Sequence, residues 1–356
     1  MFFQRRNLKI LFFLYFFLFI SGILIFSAHS VPFITKETEL SMGRSANKEV
    51  LQQFGFYQDK ALEVYVNKIG QKLVSKLINK EFSNYYFRIV DSSEINAFAL
   101  PGGYIYVTRG LLASLNSEGE LASVIGHEIA HVTMHHGAKM MIRSLGAQIL
   151  SIGGAIASPK NASQWLAVSS AMFQQINMGY GREAELEADA QGMMISMDAG
   201  YKPHEMINFL NNLRKQEIMS GQSYHSFQAT HPDTKERIVK SGLIASSLSG
   251  KHTNLISNRD TYISQLQGLV YGGKKHSKDT RRYKPRYLQI YTIKKGDTLE
   301  SIALKELGDK RHALEIAVTN GIKETAPLKP NSMIKIIKEG LRNQDKLLRL
   351  SRVPSG

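Results

Sequence analysis

The sequence predicts a mainly helical α+β protein with a small β-sheet, followed by a smaller βααβ module. Three observations support this prediction. Apolar residues recur with helical spacing in four stretches, at residues 38–54, 59–77, 118–136 and 180–197. Two short runs rich in β-branched and aromatic residues, at 85–90 and 104–107, have the composition of strands. Beyond residue 286 the pattern changes to a strand, two helical stretches and a final strand.

The composition limits the kinds of site that the protein can contain. Its 356 residues, of which 43% are hydrophobic and 21% charged, suit a globular protein large enough for two domains. The chain has no cysteine, which excludes disulfides, thiolate nucleophiles and thiolate metal ligands. Any zinc ion would therefore be held by His and carboxylate side chains, which is typical of a catalytic rather than a structural site.

The N-terminal 30 residues have the pattern of an export signal. Arg5, Arg6 and Lys9 precede an apolar run at residues 10–26, and small residues follow at 27–30. The segment fits a cleaved signal peptide and also an N-terminal membrane anchor. In both cases the following domain faces the non-cytoplasmic side of the membrane, because the positive charges precede the apolar run.

Positive charge is concentrated near the C-terminus. The chain has a formal charge of +15, and residues 271–356 hold 20 Lys+Arg against 9 Asp+Glu. Such a region suits an anionic partner such as cell-wall polymer, lipid headgroups or nucleic acid, and equally the solvated face of a small basic domain. The export signal argues against nucleic acid, so we expect no nucleic-acid partner.

The motif His-Glu-Ile-Ala-His at residues 127–131 is the H-E-x-x-H pattern. On a helix, His127 and His131 lie on the same face and can bind one zinc ion. Glu128 follows the first ligand, in the position of a general base that activates water. The alternative is a core helix that carries two histidines by chance.

The residues around this motif predict where its helix begins and ends. Asn116 or Ser117 can cap the N-terminus, and Gly137 is placed to end the helix. His135 and His136 lie outside the i, i+4 pair, so we expect them at the surface.

A second constellation lies on the acidic helix predicted at residues 180–197. Glu185 and Asp189 are four residues apart and share one face. A carboxylate from a second helix would complete a three-ligand zinc site with an open fourth position. An aspartate one turn later is placed to accept the other ring N–H of a ligand histidine. Glu183 and Glu187 compete for the ligand role, and an acidic solvated helix face is the alternative.

A candidate substrate-binding strand lies ahead of the H-E-x-x-H helix. Its residues are Asn96, Ala97, Phe98, Ala99, Leu100, Pro101, Gly102 and Gly103. Pro-Gly-Gly marks a turn or an edge strand. The unpaired backbone groups of an edge strand can hold an extended peptide by strand addition. A plain structural hairpin is the alternative.

Two further stretches carry weaker patterns. Residues 138–176 are apolar and rich in Gly, Ala and Ser, which favours a helical hairpin or a flap over the cleft. Residues 241–286 are rich in Ser, Gly and Lys and have the composition of a linker, with a short structured patch at 263–272.

The motifs Asn-Ala-Phe-Ala-Leu-Pro-Gly-Gly, His-Glu-Ile-Ala-His and Arg-Glu-Ala-Glu-Leu-Glu-Ala-Asp, in this order, resemble the M48 (Ste24-like) zinc metallopeptidases of the exported bacterial branch. The resemblance spans about residues 38–240 and implies a gluzincin-type zincin fold. It implies that His127, His131 and Glu185 bind one Zn²⁺ per chain, with Asp189 behind them. It also selects Glu185 over its two acidic neighbours.

The same family has a histidine in a Thr-His-Pro segment after the zinc helices, and Thr230-His231-Pro232 matches it. By this resemblance, we expect His231 to swing over the metal, where it either blocks the open position or steadies the transition state.

The C-terminal pattern resembles a LysM module. Tyr291 begins the run Tyr-Thr-Ile-Lys-Lys-Gly-Asp-Thr-Leu, and Asn320-Gly321 precedes the final strand. The resemblance implies peptidoglycan as the ligand of residues 287–338.

These observations together predict a zinc-dependent endopeptidase of the cell envelope, exported to the periplasm, that cleaves misfolded or envelope proteins with Glu128 as general base. The alternative is a latent protease that acts mainly as a peptidoglycan-tethered chaperone. Candidate partners are polypeptides, peptidoglycan through the LysM-like module and the membrane through residues 10–26. The expected divisions are an export signal or anchor (1–30), a peptidase domain (31–240), a linker (241–286), a LysM-like module (287–338) and a basic tail (339–356).

Overall fold

The computed structural model describes residues 35–140, 174, 178–220, 226–231, 234–248, 254–273 and 286–340. The predicted export signal, most of the apolar 138–176 stretch and nearly all of the basic tail lie outside these residues. Within the described part of the chain, no helix has both the length and the apolar character needed to span a membrane.

The elements follow in the order that the α+β prediction requires. The first group is α1 (Lys36–Gln53), α2 (Lys60–Val74), β1 (Tyr86–Val90), β2 (Ala97–Leu100), β3 (Tyr104–Thr108), α3 (Arg109–Ser114), α4 (Glu118–Thr133), α5 (Arg182–Asp198), α6 (Glu205–Ser220), α7 (Ser226–Thr230), α8 (Thr234–Leu248) and α9 (Arg259–Gln265). The second group is β4 (Val270–Tyr271), β5 (Arg286–Thr292), α10 (Leu299–Leu307), α11 (Ala313–Thr319) and β6 (Met333–Glu339). The predicted fold class is confirmed.

Helix starts follow from local capping. The side chains of Thr35 and Asp59 accept hydrogen bonds from backbone N–H groups in the first turns of α1 and α2. Ser117 does the same for α4, as one of the two predicted caps. Gly55 separates α1 from α2 with a left-handed φ of 66°.

The end of α4 differs from the prediction that placed it at Gly137. The helix ends at Thr133, and His135 adopts a left-handed backbone with φ 55°. Residues 136–140 then form a new helical segment. A histidine tolerates this conformation better than a β-branched residue does, so the chain turns two residues before the glycine.

The first sheet has the strand order β1-β3-β2, with β1 parallel and β2 antiparallel to β3. Strand β2 therefore lies at an edge, as predicted. The Thr108 N–H donates to the Asn96 carbonyl, so these two residues form a hydrogen-bonded pair at the start of the β2–β3 pairing. Along antiparallel strands, hydrogen-bonded and non-hydrogen-bonded residue pairs alternate. The backbone groups of Ala97 and Ala99 consequently point away from β3, off the free edge.

Helices α4 and α5 cross at two glycines. A Cβ atom on Gly192 would lie 2.6 Å from the backbone nitrogen of His127, and one on Gly126 would lie 2.8 Å from the Gly192 carbonyl oxygen. Only glycine allows the two backbones to approach this closely. The hydroxyl of Ser196 on α5 also donates to the carbonyl of Ala122 on α4, at 3.1 Å.

The C-terminal module is the predicted βααβ unit. Strands β5 and β6 pair antiparallel along seven residues, and α10 and α11 follow one another between them. Thr298 and Ser301 form a capping box at the start of α10. The module has its own apolar core, which includes Ile293, Ile302 and Ile316.

This module is attached to the first group of elements through buried contacts. The ammonium of Lys335, on β6, is fully buried and donates to the carbonyls of Ala113 and Leu115 at 2.8 Å each. The Asp260 carboxylate on α9 accepts a hydrogen bond from the Met333 N–H at 2.9 Å. The two parts of the chain therefore meet at a junction that contains buried hydrogen bonds.

Residues 241–286 differ from the linker that their composition predicted. Residues 241–248 complete α8, and α9 places Tyr262 and Ile263 in the main core with no exposed surface. Strand β4 pairs with β5, within the short patch expected at 263–272. A composition rich in Ser, Gly and Lys did not reveal these buried apolar side chains.

The glycine crossing gives a direct prediction. Gly192→Ala should destabilise the protein by about 1–3 kcal/mol despite alanine's better helix propensity, because its Cβ would meet backbone that cannot move freely. Urea unfolding measures the effect. Gly242→Ala on α8, where a Cβ meets no described atom within 4 Å, is the control and should stabilise by about 0.5–1 kcal/mol. Equal stability of the two variants would contradict the crossing.

Candidate metal site

Helix α4 carries the three residues of the H-E-x-x-H pattern into the interior. The side chains of His127, Glu128 and His131 are at most 1% exposed. The Nε2 atoms of the two histidines lie 3.0 Å apart, so both rings point at one place. The structure therefore has the arrangement that the i, i+4 spacing predicted.

Helix α5 brings Glu185 to the same place. Its Oε2 lies 3.5 Å from His127 Nε2, and its Oε1 lies 3.4 Å from His131 Nε2. Glu183 is exposed, and Glu187 faces His136 instead. Of the three glutamates considered from the sequence, only Glu185 meets both histidines.

His231, which directly follows α7, is the fourth member of the cluster. Its Nδ1 lies 3.0 Å from Glu185 Oε1 and 3.3 Å from His127 Nε2. Its Nε2 lies 3.4 Å from Glu128 Oε1 and 3.3 Å from the Ala97 carbonyl oxygen. The ring thus stands between the other candidate ligands, the glutamate of the motif and the edge strand.

The donor set of this cluster fits a metal ion. One ligand atom from each of His127, His131, Glu185 and His231 lies within 4.8 Å of all the others, and all four residues are buried. Imidazole nitrogens with a carboxylate are the ligands typical of catalytic zinc. Three ring nitrogens that converge in a buried site cannot all be satisfied by one another's hydrogens, whereas a cation satisfies them together.

The two glutamates of the site differ in their electrostatics. Burial would raise the pKa of Glu185, but the neighbouring His231 and Arg237 outweigh it and hold that pKa well below its ordinary value. Burial raises the pKa of Glu128, and neither of its oxygens has a hydrogen-bond partner among the described residues. Glu185 is thus held as an anion, while Glu128 keeps its lone pairs available.

Asp189 lies behind His127. Its Oδ1 is 2.9 Å from His127 Nδ1, the ring nitrogen that faces away from the cluster. Arg237 holds both oxygens of this carboxylate, through Nε and Nη2 at 2.7 Å each, and its Nη1 lies 2.9 Å from Glu185 Oε2. One buried guanidinium therefore fixes two carboxylates of the site.

Arg237 was not among the site residues predicted from the sequence. Its partners lie 48 and 52 residues earlier in the chain, and no spacing rule links them. The sequence feature that could have suggested Arg237 is its place as a basic residue on the helix that follows Thr-His-Pro.

The prediction that His135 and His136 are surface residues is wrong for His136 and incomplete for His135. His136 is 4% exposed, and its Nδ1 lies 2.8 Å from His131 Nδ1. The left-handed backbone at His135 turns His136 back towards α4. His135 itself is partly buried and lies 2.7 Å from Glu39 Oε1.

Tyr180 is a further neighbour that the sequence analysis did not identify as part of the site. Its ring stacks on His131 with centroids 4.0 Å apart and an angle of 17° between planes. This contact covers one face of the imidazole and restricts its rotation.

The candidate substrate strand borders this cluster. Ala97 to Leu100 form the edge strand β2, and Pro101 to Gly103 form the turn into β3, with left-handed φ values at both glycines. The Asn96 side chain accepts a hydrogen bond from the Thr230 hydroxyl at 3.1 Å. The residues of the strand are therefore assembled next to the cluster, with one outward carbonyl in contact with His231.

Comparison with protein families matches two parts of the chain. The model of peptidase family M48 matches residues 60–241, and the model of the LysM domain matches residues 291–336. The first range contains every member of the buried cluster, and the second covers most of the βααβ module.

Several characterised proteins are similar to the chain. The beta-barrel assembly-enhancing protease of Yersinia pestis is 28% identical over 281 residues, which is 76% of this chain and 55% of that protein. The protein of the same name from Escherichia coli is 28% identical over 242 residues, or 65% and 48%. The human mitochondrial metalloendopeptidase OMA1 is 29% identical over 164 residues, or 44% and 31%. The chain spans about half the length of the bacterial relatives.

The role of Arg237 gives a prediction for stability. Arg237→Met should destabilise the metal-free protein by about 3–5 kcal/mol, because two buried carboxylates lose their shared cation. Added zinc should recover part of this loss. Urea unfolding with and without zinc tests both statements.

The control is Arg182→Met, which removes an exposed ion pair to Glu236 and should change stability by about 1 kcal/mol or less. If both variants unfold at the same urea concentration, Arg237 does not hold the site together.

Proposed function

Because the chain belongs to peptidase family M48, we propose that it is a zinc-dependent endopeptidase of the cell envelope that cleaves misfolded or envelope proteins. The observation that supports this proposal most is the buried convergence of His127, His131 and Glu185 from two helices. The chemistry of this donor set supports zinc as the proposed metal, because calcium and magnesium prefer sites made of oxygen ligands.

The proposed ligands are His127, His131 and Glu185, with Asp189 orienting His127. Zinc, when bound, lowers the pKa of water from about 15.7 towards 7 and polarises the substrate carbonyl. Asp189 and Arg237 hold His127 and Glu185 in place, so the site needs little reorganisation. Peptide hydrolysis is the reaction that such a site performs.

Glu128 is the proposed general base. Its carboxylate is fully buried beside the ligand cluster, and neither oxygen has a hydrogen-bond partner among the described residues, although His231 Nε2 lies 3.4 Å from Oε1. It takes the proton from the attacking water and passes it to the leaving amine. A carboxylate already engaged in hydrogen bonds would be less able to do both.

The proposed substrate is an extended polypeptide. The outward backbone groups of Ala97 and Ala99 can pair with such a chain, as in an added strand. Pairing through the backbone requires few particular side chains, which suits unfolded segments of many proteins. The bacterial relatives are named as proteases that enhance β-barrel assembly, which supports envelope proteins as one substrate class.

The proposed location is the periplasm. This follows from the export pattern at residues 1–30 and from the LysM domain, for which peptidoglycan is the proposed ligand. Membrane anchoring through residues 10–26 remains a proposal from the sequence alone.

A second candidate function is a latent protease that serves mainly as a peptidoglycan-tethered chaperone. The observation that favours it is the position of His231, whose Nδ1 stands among the other ligand atoms where a fourth ligand would lie. With a metal bound, the His231 imidazole would take the position that the attacking water needs. We propose that the arrangement is a resting state of the peptidase, which substrate relieves.

The general-base role predicts that Glu128→Gln retains zinc and loses peptide cleavage, because the amide cannot accept the proton. Zinc content by mass spectrometry and cleavage of unfolded casein are measured on the same preparation. A variant that keeps the wild-type rate would exclude Glu128 as the base.

The proposed resting state predicts that His231→Ala retains zinc through the three remaining ligands and cleaves unfolded casein several-fold faster than wild type. His204→Ala, outside the cluster, serves as the matched histidine control and should match wild type. A large loss of cleavage with zinc retained would assign His231 to the transition state instead of to a blocking role.

A further inference from the structure

We propose that His136 and Glu187 support the candidate metal ligand His131 from outside the site, as positioning residues that fix its tautomer and orientation. This inference rests on the proposed function, because it assumes that His131 binds the metal through Nε2. Neither residue belongs to the H-E-x-x-H pattern or to the carboxylate pair on α5.

The geometry places His136 directly behind His131. The Nδ1 atoms of the two rings lie 2.8 Å apart, and the ring planes meet at 70°. His136 is 4% exposed, so water does not compete easily for this contact. The contact is made with the nitrogen of His131 that faces away from the ligand cluster.

The direction of the hydrogen bond follows from the chemistry of imidazole. When Nε2 of His131 binds a metal, its hydrogen must be on Nδ1. That N–H can only donate, so Nδ1 of His136 must accept. A neutral His136 then carries its own hydrogen on Nε2. The geometry therefore determines the tautomer of both rings.

Glu187 is the residue that selects this tautomer of His136. Its Oε2 lies 3.3 Å from His136 Nε2, within reach of the N–H that this tautomer presents. The Glu187 side chain is 58% exposed, so its charge is partly solvated and its influence is weaker than that of a buried carboxylate. The chain of contacts runs from the ligand through His136 to the solvent boundary.

The two ligand histidines consequently have different supports. His127 faces Asp189, a buried carboxylate that Arg237 holds in turn. His131 faces a second imidazole and is also covered by Tyr180. Residues behind a metal ligand typically contribute a factor of about 10–100 in metal affinity. We expect His136 to contribute at this level.

The test compares two replacements of His136 in the full chain. His136→Phe keeps the ring volume and removes the acceptor, whereas His136→Asn places a carbonyl oxygen near the position of Nδ1. Zinc affinity is measured by competition with a chromophoric chelator. We expect His136→Phe to bind zinc about 10–100-fold more weakly than wild type, and His136→Asn to recover most of that loss.

Glu187→Ala tests the outer contact, and Glu183→Ala is its matched control on the exposed face of the same helix. We expect a smaller loss of zinc affinity than in His136→Phe for the first variant and none for the second. The visible absorption spectrum of the cobalt-loaded protein should change in His136→Phe, because the ligand ring is no longer held in one orientation. Glu183→Ala should leave this spectrum unchanged.

The outcomes separate this inference from the proposed function. If wild type binds zinc tightly and His136→Phe binds it equally well, the support role is wrong and the metal site stands. If wild type does not bind zinc, the proposed function fails first. His136→Phe could lower zinc affinity only because it destabilises the fold, which urea unfolding of the metal-free variant would reveal. In that case Glu187→Ala is the test of the support role. Zinc affinity equal to that of wild type in Glu187→Ala would then overturn the proposal.

Discussion

The close crossing of α4 and α5 is the constraint on which the site depends. His127 follows Gly126 directly, and Gly192 lies two turns after Glu185 on the crossing helix. Any side chain at either glycine would separate the backbones, because a Cβ there would lie less than 3 Å from the other helix. The imidazoles of one helix and the carboxylate of the other can meet only because the helices touch at this point. Neither glycine can bind a metal, because glycine has no side chain. Both nevertheless set the distance between the candidate ligands on the two helices.

Charge balance is the second requirement of this interior. Glu185 and Asp189 are buried carboxylates, and Arg237 is the buried cation that contacts both. Burial disfavours every one of these charges, and their mutual contacts offset that cost. These three groups leave one net negative charge, and an ionised Glu128 adds a second, so that a divalent cation would balance the site. Arg237 therefore does not cancel the negative charge of the site, and the remaining charge suits a bound metal ion.

Much of this site could be predicted from the sequence, for reasons that are local. The i, i+4 spacing places His127 and His131 on one face of any helix, and Ser117 starts that helix through an ordinary cap. Pro101 and the two glycines after it marked the end of the edge strand β2. The choice of Glu185 over its neighbours needed the family resemblance. The three glutamates on this helix differ only in the face on which they lie, and the sequence alone does not show which face meets α4.

The rest could not be predicted because it depends on contacts between distant parts of the chain. His136 becomes buried through a single left-handed residue, His135, which no periodicity reveals. Arg237 meets its carboxylates through the packing of α8 on α5. The apolar side chains of α9 join the main core although the surrounding composition is that of a linker. In each case the decisive information is three-dimensional packing and not residue type.

In the proposed site, one cation would join ligands from helices α4 and α5. The most direct test is the zinc content of the purified full chain beside Glu185→Ala, after both are exposed to equal zinc and dialysed. We expect one zinc per chain in wild type and a large loss in the variant, with the fold of the variant retained as measured by circular dichroism. Full zinc occupancy in the folded variant, or none in wild type, would contradict the proposed site.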